Sequence, residues 1–422
     1  MLKTRRAVLI LFIVVFFVYT IPLTYNALVT PFFHVIPSQD VISASLVPVS
    51  ILTRDSFYLD QYRRYVTNNY SDPYFVADVK NHLVSRYPIA AGVLSLPFMG
   101  WGLGTGWIAR TDYVFDVAKF SAMVMAALAV VAFFFCAREL TDLSTSVLVS
   151  VAFAFGTSAW STASQGLWQH TPSILFQSLG IWFLLRGKRR GALAAAPAGI
   201  FLSLAVVARP PTMVSVAILS LYVLLEYRAA FFRFILWALP PAILFFIYNY
   251  AINGSPLIFG YQEGVTLGFP QWEAVQGLLF SSGRGLFVFS PFLLLAPIGL
   301  WIGWVREHKN LYAYLALTFV AYTLIMAAWG SLGGWAYGAR MLTDALPATV
   351  LLIVPVVEKI RGGWRGALWA VVILTAFVQS FGLYDYGLRF HAEGNSVWSL
   401  EYSEPIYYLK LFISMAQEML GL

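Results

Sequence analysis

The sequence predicts an all-α polytopic membrane protein with about eleven transmembrane helices and a long first outer loop. Three observations carry this. Of 422 residues, 59% are hydrophobic and only 11% charged, less than half the roughly 25% charge of an average soluble domain. Uncharged runs recur from one end of the chain to the other, more apolar surface than a water-facing fold can cover. The basic residues gather in short clusters between those runs, as expected of loops that set membrane topology. The single cysteine, Cys136, excludes an intrachain disulfide and any CxxC metal cluster. The net charge of +7 therefore reads as a topology signal, and no nucleic-acid partner is expected.

The spans follow in order. Lys3, Arg5 and Arg6 precede an uncharged run from Ala7 to Phe33, too long for a signal-peptide core and without a small-residue cleavage site, so it reads as the first span. Further spans are centred on residues 120–137, 143–163, 170–185, 191–208, 211–225, 234–251, 285–305, 311–329, 341–357 and 366–383. Each approaches the roughly 20 apolar residues that cross about 30 Å of hydrocarbon, although the sixth and tenth are short. Pro88 to Ile108 is also uncharged. If it crossed, the clusters Arg186–Lys188–Arg189–Arg190 and Lys359–Arg361–Arg365 would face outward, against the positive-inside bias, so it is expected to lie flat as interfacial helix. Its placement puts the N-terminus in the cytoplasm and leaves 15 of the 20 acidic residues outside. Residues 1–422 then form a single membrane domain. Its long outer segments are 34–116, 252–284 and 384–422, the last containing an amphipathic or spanning helix over Pro405 to Leu422. No internal repeat of 20–50 residues and no pair of matching broken halves is visible.

Ionisable side chains are absent from the middle of the expected spans and gather at outer ends. Asp40, just beyond the first span in Ser38-Gln39-Asp40, reads either as a solvated or capping carboxylate or as a general base at the membrane surface. Arg209 in Ala208-Arg209-Pro210, Arg284 in Gly283-Arg284-Gly285 and Arg340 in Gly338-Ala339-Arg340 all fall at outer edges. Singly, each reads as a headgroup anchor. Together, flanked by Gly or Pro, they form a candidate clamp for a phosphate, whose oxygen pair suits a guanidinium fork. Arg86, Tyr87, Gln169 and His170 are further outer-edge polar groups, and Trp335 and Tyr337 are aromatics that could stack on a sugar or seal the interface. No ligand spacing compels a divalent site and no nucleotide loop exists, so no cofactor is expected.

The order of these motifs resembles the GT-C class of membrane glycosyltransferases, specifically the bacterial relatives of dolichyl-phosphate-mannose mannosyltransferases and aminoarabinose transferases. The resemblance runs through most of the chain: one span, an outer loop from Ser38-Gln39-Asp40 to Ser85-Arg86-Tyr87-Pro88, then Leu167-Trp168-Gln169-His170, Ala208-Arg209-Pro210, Gly283-Arg284-Gly285 and Gly334-Trp335-Ala336-Tyr337-Gly338-Ala339-Arg340. It implies a GT-C-like fold in the plasma (cytoplasmic) membrane and a polyprenyl-phosphate sugar donor. It also implies transfer to an acceptor hydroxyl at the outer face, with Asp40 as base. The adjacent Asp-Glu pair common among protein mannosyltransferases is missing, as is a large soluble C-terminal domain. Membrane lipids are the surrounding partners; the acceptor is a glycan, lipid or protein. Two other readings fit the residues: a transporter of an anionic lipid or solute, and a ligase or polymerase using a lipid-diphosphate donor.

Overall fold

The structure is a computed structural model that describes residues 2–109, 111–257, 268–305, 309–399, 401 and 403–421. Helix α1 (Leu2–Leu28) leads into the segment expected to form the first outer loop, which holds α2 (Ile42–Arg54), α3 (Arg63–Asn69), the strands β1 (Val76–Val79) and β2 (His82–Ser85), and α4 (Ala90–Gly104). The bundle continues with α5 (Thr111–Leu140), α6 (Leu143–Phe155), α7 (His170–Arg190), α8 (Ala198–Ala208), α9 (Met213–Glu226) and α10 (Arg228–Asn253). Next come α11 (Trp272–Phe280), α12 (Leu286–Phe289), α13 (Ala296–Val305), α14 (Lys309–Ala328), α15 (Leu346–Leu352), α16 (Val354–Lys359) and α17 (Gly363–Ser380). The chain closes with α18 (Gly382–Asp385), α19 (Leu388–Ala392) and α20 (Glu404–Leu420).

The outer loop corrects the all-α expectation: β1 and β2 pair antiparallel, Val76 opposite Ser85 and Val79 opposite His82. Lys80 and Asn81 join them, both at positive φ (52° and 69°), the left-handed pair that matches a two-residue hairpin to strand twist. The hairpin rests on a small core of its own with Leu59, Val66, Phe75 and Leu83.

Among the described residues, six helical stretches are long and apolar enough to cross a membrane: Leu2–Leu28, Tyr113–Leu140, Arg228–Asn253, Asn310–Ala328, Arg340–Lys359 and Gly363–Asp385. The chain is thus a membrane protein by composition and helix length, and six of the eleven expected spans have this form. The other five are shorter, more polar or interrupted, each for a local reason. α6 stops at Gly156, where a β-carbon would lie 2.8 Å from both the Ala152 carbonyl and the Phe292 ring. α8 and α9 are separated at Arg209-Pro210-Pro211, because the residue before proline is driven out of helical geometry. The stretch 285–305 is broken at Ser290-Pro291 into α12, a 3-10 turn and α13. α7 is long enough but opens with the buried polar residues His170, Thr171, Ser173 and Gln177.

α5 forms the spine. Its middle is 72% buried, against 22% for α1 and 17% for α10, so α1 and α10 present most of their surface to the surrounding solvent, which for such sequences is lipid. α1 leans on α5, with Tyr19 donating to the Ala154 carbonyl at 2.8 Å. Elsewhere backbones nearly touch: a β-carbon at Gly199 would lie 2.0 Å from the Phe234 carbonyl oxygen, and one at Gly299 1.8 Å from that of Leu352. Such small-residue seams allow helices to pack closely where lipid gives no hydrophobic drive.

Residues expected on one side of the membrane meet at one end of the bundle. Arg189 reaches Glu139 at 3.3 Å, Thr141 donates to Glu358 at 3.1 Å and Arg365 donates to Ser144 at 3.0 Å. The groups expected outside meet at the opposite end, around Asp40. Arg306, Glu307 and the middle of the 252–284 segment lie outside the described residues.

Candidate active site

At the second end a cavity of about 570 Å³ opens between the first outer loop, the start of α7, the α8–α9 break and the 331–340 loop. Three local devices aim its charged groups inward. Ser38, in extended backbone, caps a 3-10 turn by accepting from the Asp40 N–H at 3.3 Å, which fixes Asp40 ahead of α2. Pro210 holds Arg209 extended (φ −148°, ψ 96°), so this arginine leaves the helix axis rather than continuing it. Gly338, at φ +62° against the Phe289 ring, lets the chain turn into the 3-10 stretch Arg340–Ala345. That stretch sends Arg340 and Asp344 to different parts of the wall.

Asp40 is held at both oxygens: Tyr87 donates its hydroxyl to Oδ1 at 2.8 Å, and Arg340 donates Nη1 to Oδ2 at 2.8 Å. The two charged side chains are 16% and 13% exposed. Arg340 also lies over the Trp168 ring, 4.9 Å from its centroid, a cation–π contact, while its Nε is buried without a hydrogen-bond partner. On the adjoining wall, burial and the Asp40 charge push the Tyr74 phenol up to about 12.

A second constellation lies beneath. Asp344 is fully buried, and one of its oxygens, Oδ2, takes Arg209 Nε at 2.6 Å, the Tyr322 hydroxyl at 2.7 Å and His170 Nδ1 at 2.7 Å. With Nδ1 committed to a carboxylate, the neutral His170 ring carries its acceptor at Nε2. Arg209 and His170 both line the cavity. Removing Arg209 or Asp344 would leave the other's buried charge uncompensated, a loss of about 3–5 kcal/mol in comparable pairs.

Seven of the ten residues singled out from sequence line this cavity: Asp40, Tyr87, Gln169, His170, Arg209, Trp335 and Arg340. The other three lie elsewhere. Arg284, 1% exposed, pairs with Glu404 at 3.0 Å, donates to the Gly334 carbonyl at 2.8 Å and contacts His391. It is a tie between the 331–340 loop and the C-terminal segment. Tyr337 is fully buried and donates to the Val378 carbonyl. Arg86 borders a separate groove within the outer loop. Sequence reasoning missed Asp344 as an acceptor hub, Tyr322, Tyr74, and Trp329 on the rim. A buried aspartate four residues after Arg340 was the available signal for the first.

The Arg284 tie has its own electrostatics. Burial pushes the Glu404 carboxyl up to about 7, against the pull of Arg284 and of the Gly338 N–H that donates to it at 2.9 Å. Burial likewise lowers Arg284. His391, stacked on Trp335, is pushed down to about 4 by burial and by the Arg284 charge.

The cavity is therefore not a bare cationic cradle: with Asp40 on Arg340 and Asp344 on Arg209, it is charge-balanced when empty. A dianionic or monoanionic ligand would have to draw a guanidinium from a carboxylate. Among the described residues, no three His, Cys, Asp or Glu side chains are grouped to hold a metal ion.

No family model and no curated protein matches the chain. Among solved structures, the apo oligosaccharyltransferase of Archaeoglobus fulgidus is similar to it, with a TM-score of 0.49 and 11% identity, over 93% of this chain and 56% of that one. The chain thus spans little more than half the length of that structure.

Proposed function

We propose that this chain is a membrane glycosyltransferase that moves a sugar from a polyprenyl-phosphate donor to an acceptor hydroxyl at the outer membrane face, with inversion. The observation that carries the reading is the presence of Asp40, Arg340 and Arg209 on the wall of one cavity. The lipid tail stays among the helices or in the bilayer while the phosphate reaches the arginines, and Trp329 and Trp335 offer flat faces to the sugar.

In the proposed step the acceptor oxygen bonds to the anomeric carbon as its proton passes to Asp40, and the bond from that carbon to the phosphate oxygen breaks with its electron pair going to the phosphate. One direct displacement inverts the anomeric centre. Arg340, released from Asp40 by the incoming phosphate, and Arg209 offset charge on the departing group, electrostatics preorganised in a partly dry site. The exchange also frees Asp40 to act as a base only when donor is present. Tyr87 orients the carboxylate, and His170 with Gln169 faces the sugar or phosphate. Arg284 supports the loop that carries Arg340 rather than meeting phosphate.

The test is purified chain in proteoliposomes supplied with polyprenyl-monophosphate and polyprenyl-diphosphate sugars and a mixture of hydroxylated acceptors. Transfer from the monophosphate donors, abolished by Asp40→Asn, is expected. Transfer from diphosphate donors alone would instead identify a ligase or polymerase, and movement of donor across the bilayer without transfer would identify a transporter.

A further inference from the structure

The first outer loop contains a second polar groove of about 310 Å³, between α3 and the β1–β2 hairpin. This size lies at the small end of the roughly 300–1,000 Å³ typical of small-molecule sites. Tyr74 borders both this groove and the larger cavity, so one aromatic side chain separates the groove from the surroundings of Asp40. The formal charges of the lining sum to zero, Arg63 and Arg86 against Asp72 and Asp78, and Arg63 pairs with Asp78 at 2.7 Å. Arg63, Arg86, Asp72, Asp78 and the Thr67 hydroxyl give the lining both donors and acceptors. A lining without net charge offers no overall attraction to an anion or a cation, but it can bond a set of neutral hydroxyls that both donate and accept. An aromatic face beside such groups suits the apolar face of a sugar ring.

From this juxtaposition we propose that the groove is the acceptor site and that it takes a neutral, polyhydroxylated glycoside. The acceptor role rests on the transfer reaction proposed above. The acceptor's reactive hydroxyl passes the edge of Tyr74 to reach Asp40, while its remaining hydroxyls stay on the α3–hairpin side. Donor and acceptor then approach the reacting atoms from separate compartments, which fits a direct displacement between two bound substrates.

The experiment uses the full chain in detergent, with saturation-transfer NMR on methyl α-mannoside, lactose, methyl glucuronide and glucosamine as probes. Farnesyl phosphate is titrated in parallel. Thr67→Trp and Ala77→Trp fill the groove from its two walls, away from Asp40, and melting curves check that both variants fold; either one that folds suffices. The expected result is saturation transfer to the neutral glycosides, at least tenfold weaker in the filled variants, with farnesyl phosphate affinity unchanged. Three results would overturn the assignment: no neutral glycoside binding to the unaltered chain, binding indifferent to the filled groove, or preference for the charged glycosides. If farnesyl phosphate binding is absent or ignores Arg209→Gln while glycoside binding still depends on the groove, the donor reading fails and the sugar site stands.

Discussion

Replacing Asp40 with asparagine should do two opposite things, and the pair is diagnostic. Asp40→Asn keeps the side chain's shape and the Tyr87 contact but removes the charge that holds Arg340 Nη1 at 2.8 Å. Two unit charges about 4 Å apart at an effective dielectric of 20 attract by roughly 4 kcal/mol. The net worth of a charge-assisted hydrogen bond is smaller, about 1.5–3 kcal/mol. That is what a phosphate now forfeits in drawing Arg340 away, so the variant should bind farnesyl phosphate about 10- to 150-fold more tightly, at 1.4 kcal/mol per decade. Turnover should fall by about 10²–10⁴, the usual share of a positioned general base. Trp168, under the Arg340 guanidinium, gives a fluorescence signal for the titration, and sugar transfer is followed on the same preparation. Unchanged or weaker phosphate binding would show that Arg340 is not shared between carboxylate and ligand. Undiminished turnover would remove Asp40 from the chemistry.

Other outcomes follow from the buried ties. Arg284→Met strands Glu404 without its partner and should cost about 3–5 kcal/mol of stability, seen as a large drop in melting temperature; a loss of phosphate affinity with melting unchanged would return Arg284 to the donor site. The same tie has a worked pH dependence. Glu404, raised to about 7 from 4.5, contributes stability that is full below pH 4.5 and lost as pH rises through 7. His391, lowered to about 4 from 6.5, contributes stability that is full above pH 6.5 and lost as pH falls through 4. The two oppose each other, so melting temperature should rise with pH between 4.5 and 7 in Glu404→Gln and fall in His391→Gln; equal slopes in both variants would dissolve the argument. Gly299→Val drives a side chain into the Leu352 carbonyl and should prevent accumulation of folded protein, whereas Gly363→Ala, with open space around it, should melt like the unaltered chain.

Much of the bundle was legible because lipid-facing helices announce themselves by composition: α1, α10, α14 and α17 needed only uncharged length. What sequence could not supply was which side chains find each other across the fold. Arg284 sits between glycines, as close to chain-turning residues as Arg209 before Pro210 and Arg340 after Gly338, yet its acid, Glu404, is far along the chain and pairs with it at 3.0 Å. The same blindness hid Asp344, whose three donors come from α7, α14 and the α8–α9 break. Broken spans were misjudged where one proline, such as Pro291 after Ser290, divides an apolar run that hydropathy treats as continuous. The hairpin escaped because Lys80-Asn81 lacks the Asn-Gly or Asp-Gly signal of a two-residue turn. Asp40, Arg209 and Arg340 could be picked out in advance because each stands beside the end of an uncharged run, and such ends are readable from charge.

The glycine seams also decide how the protein meets membranes of unequal thickness. A bilayer that mismatches a hydrophobic helix is accommodated by tilting, at a modest cost per ångström, but α13 cannot slide on α15 while Gly299 rests against a carbonyl. α1 has one polar tether, through Tyr19, and otherwise a largely lipid-exposed surface. Changes in lipid chain length should therefore be absorbed by a rocking first helix, leaving the spacing of the distant pocket untouched.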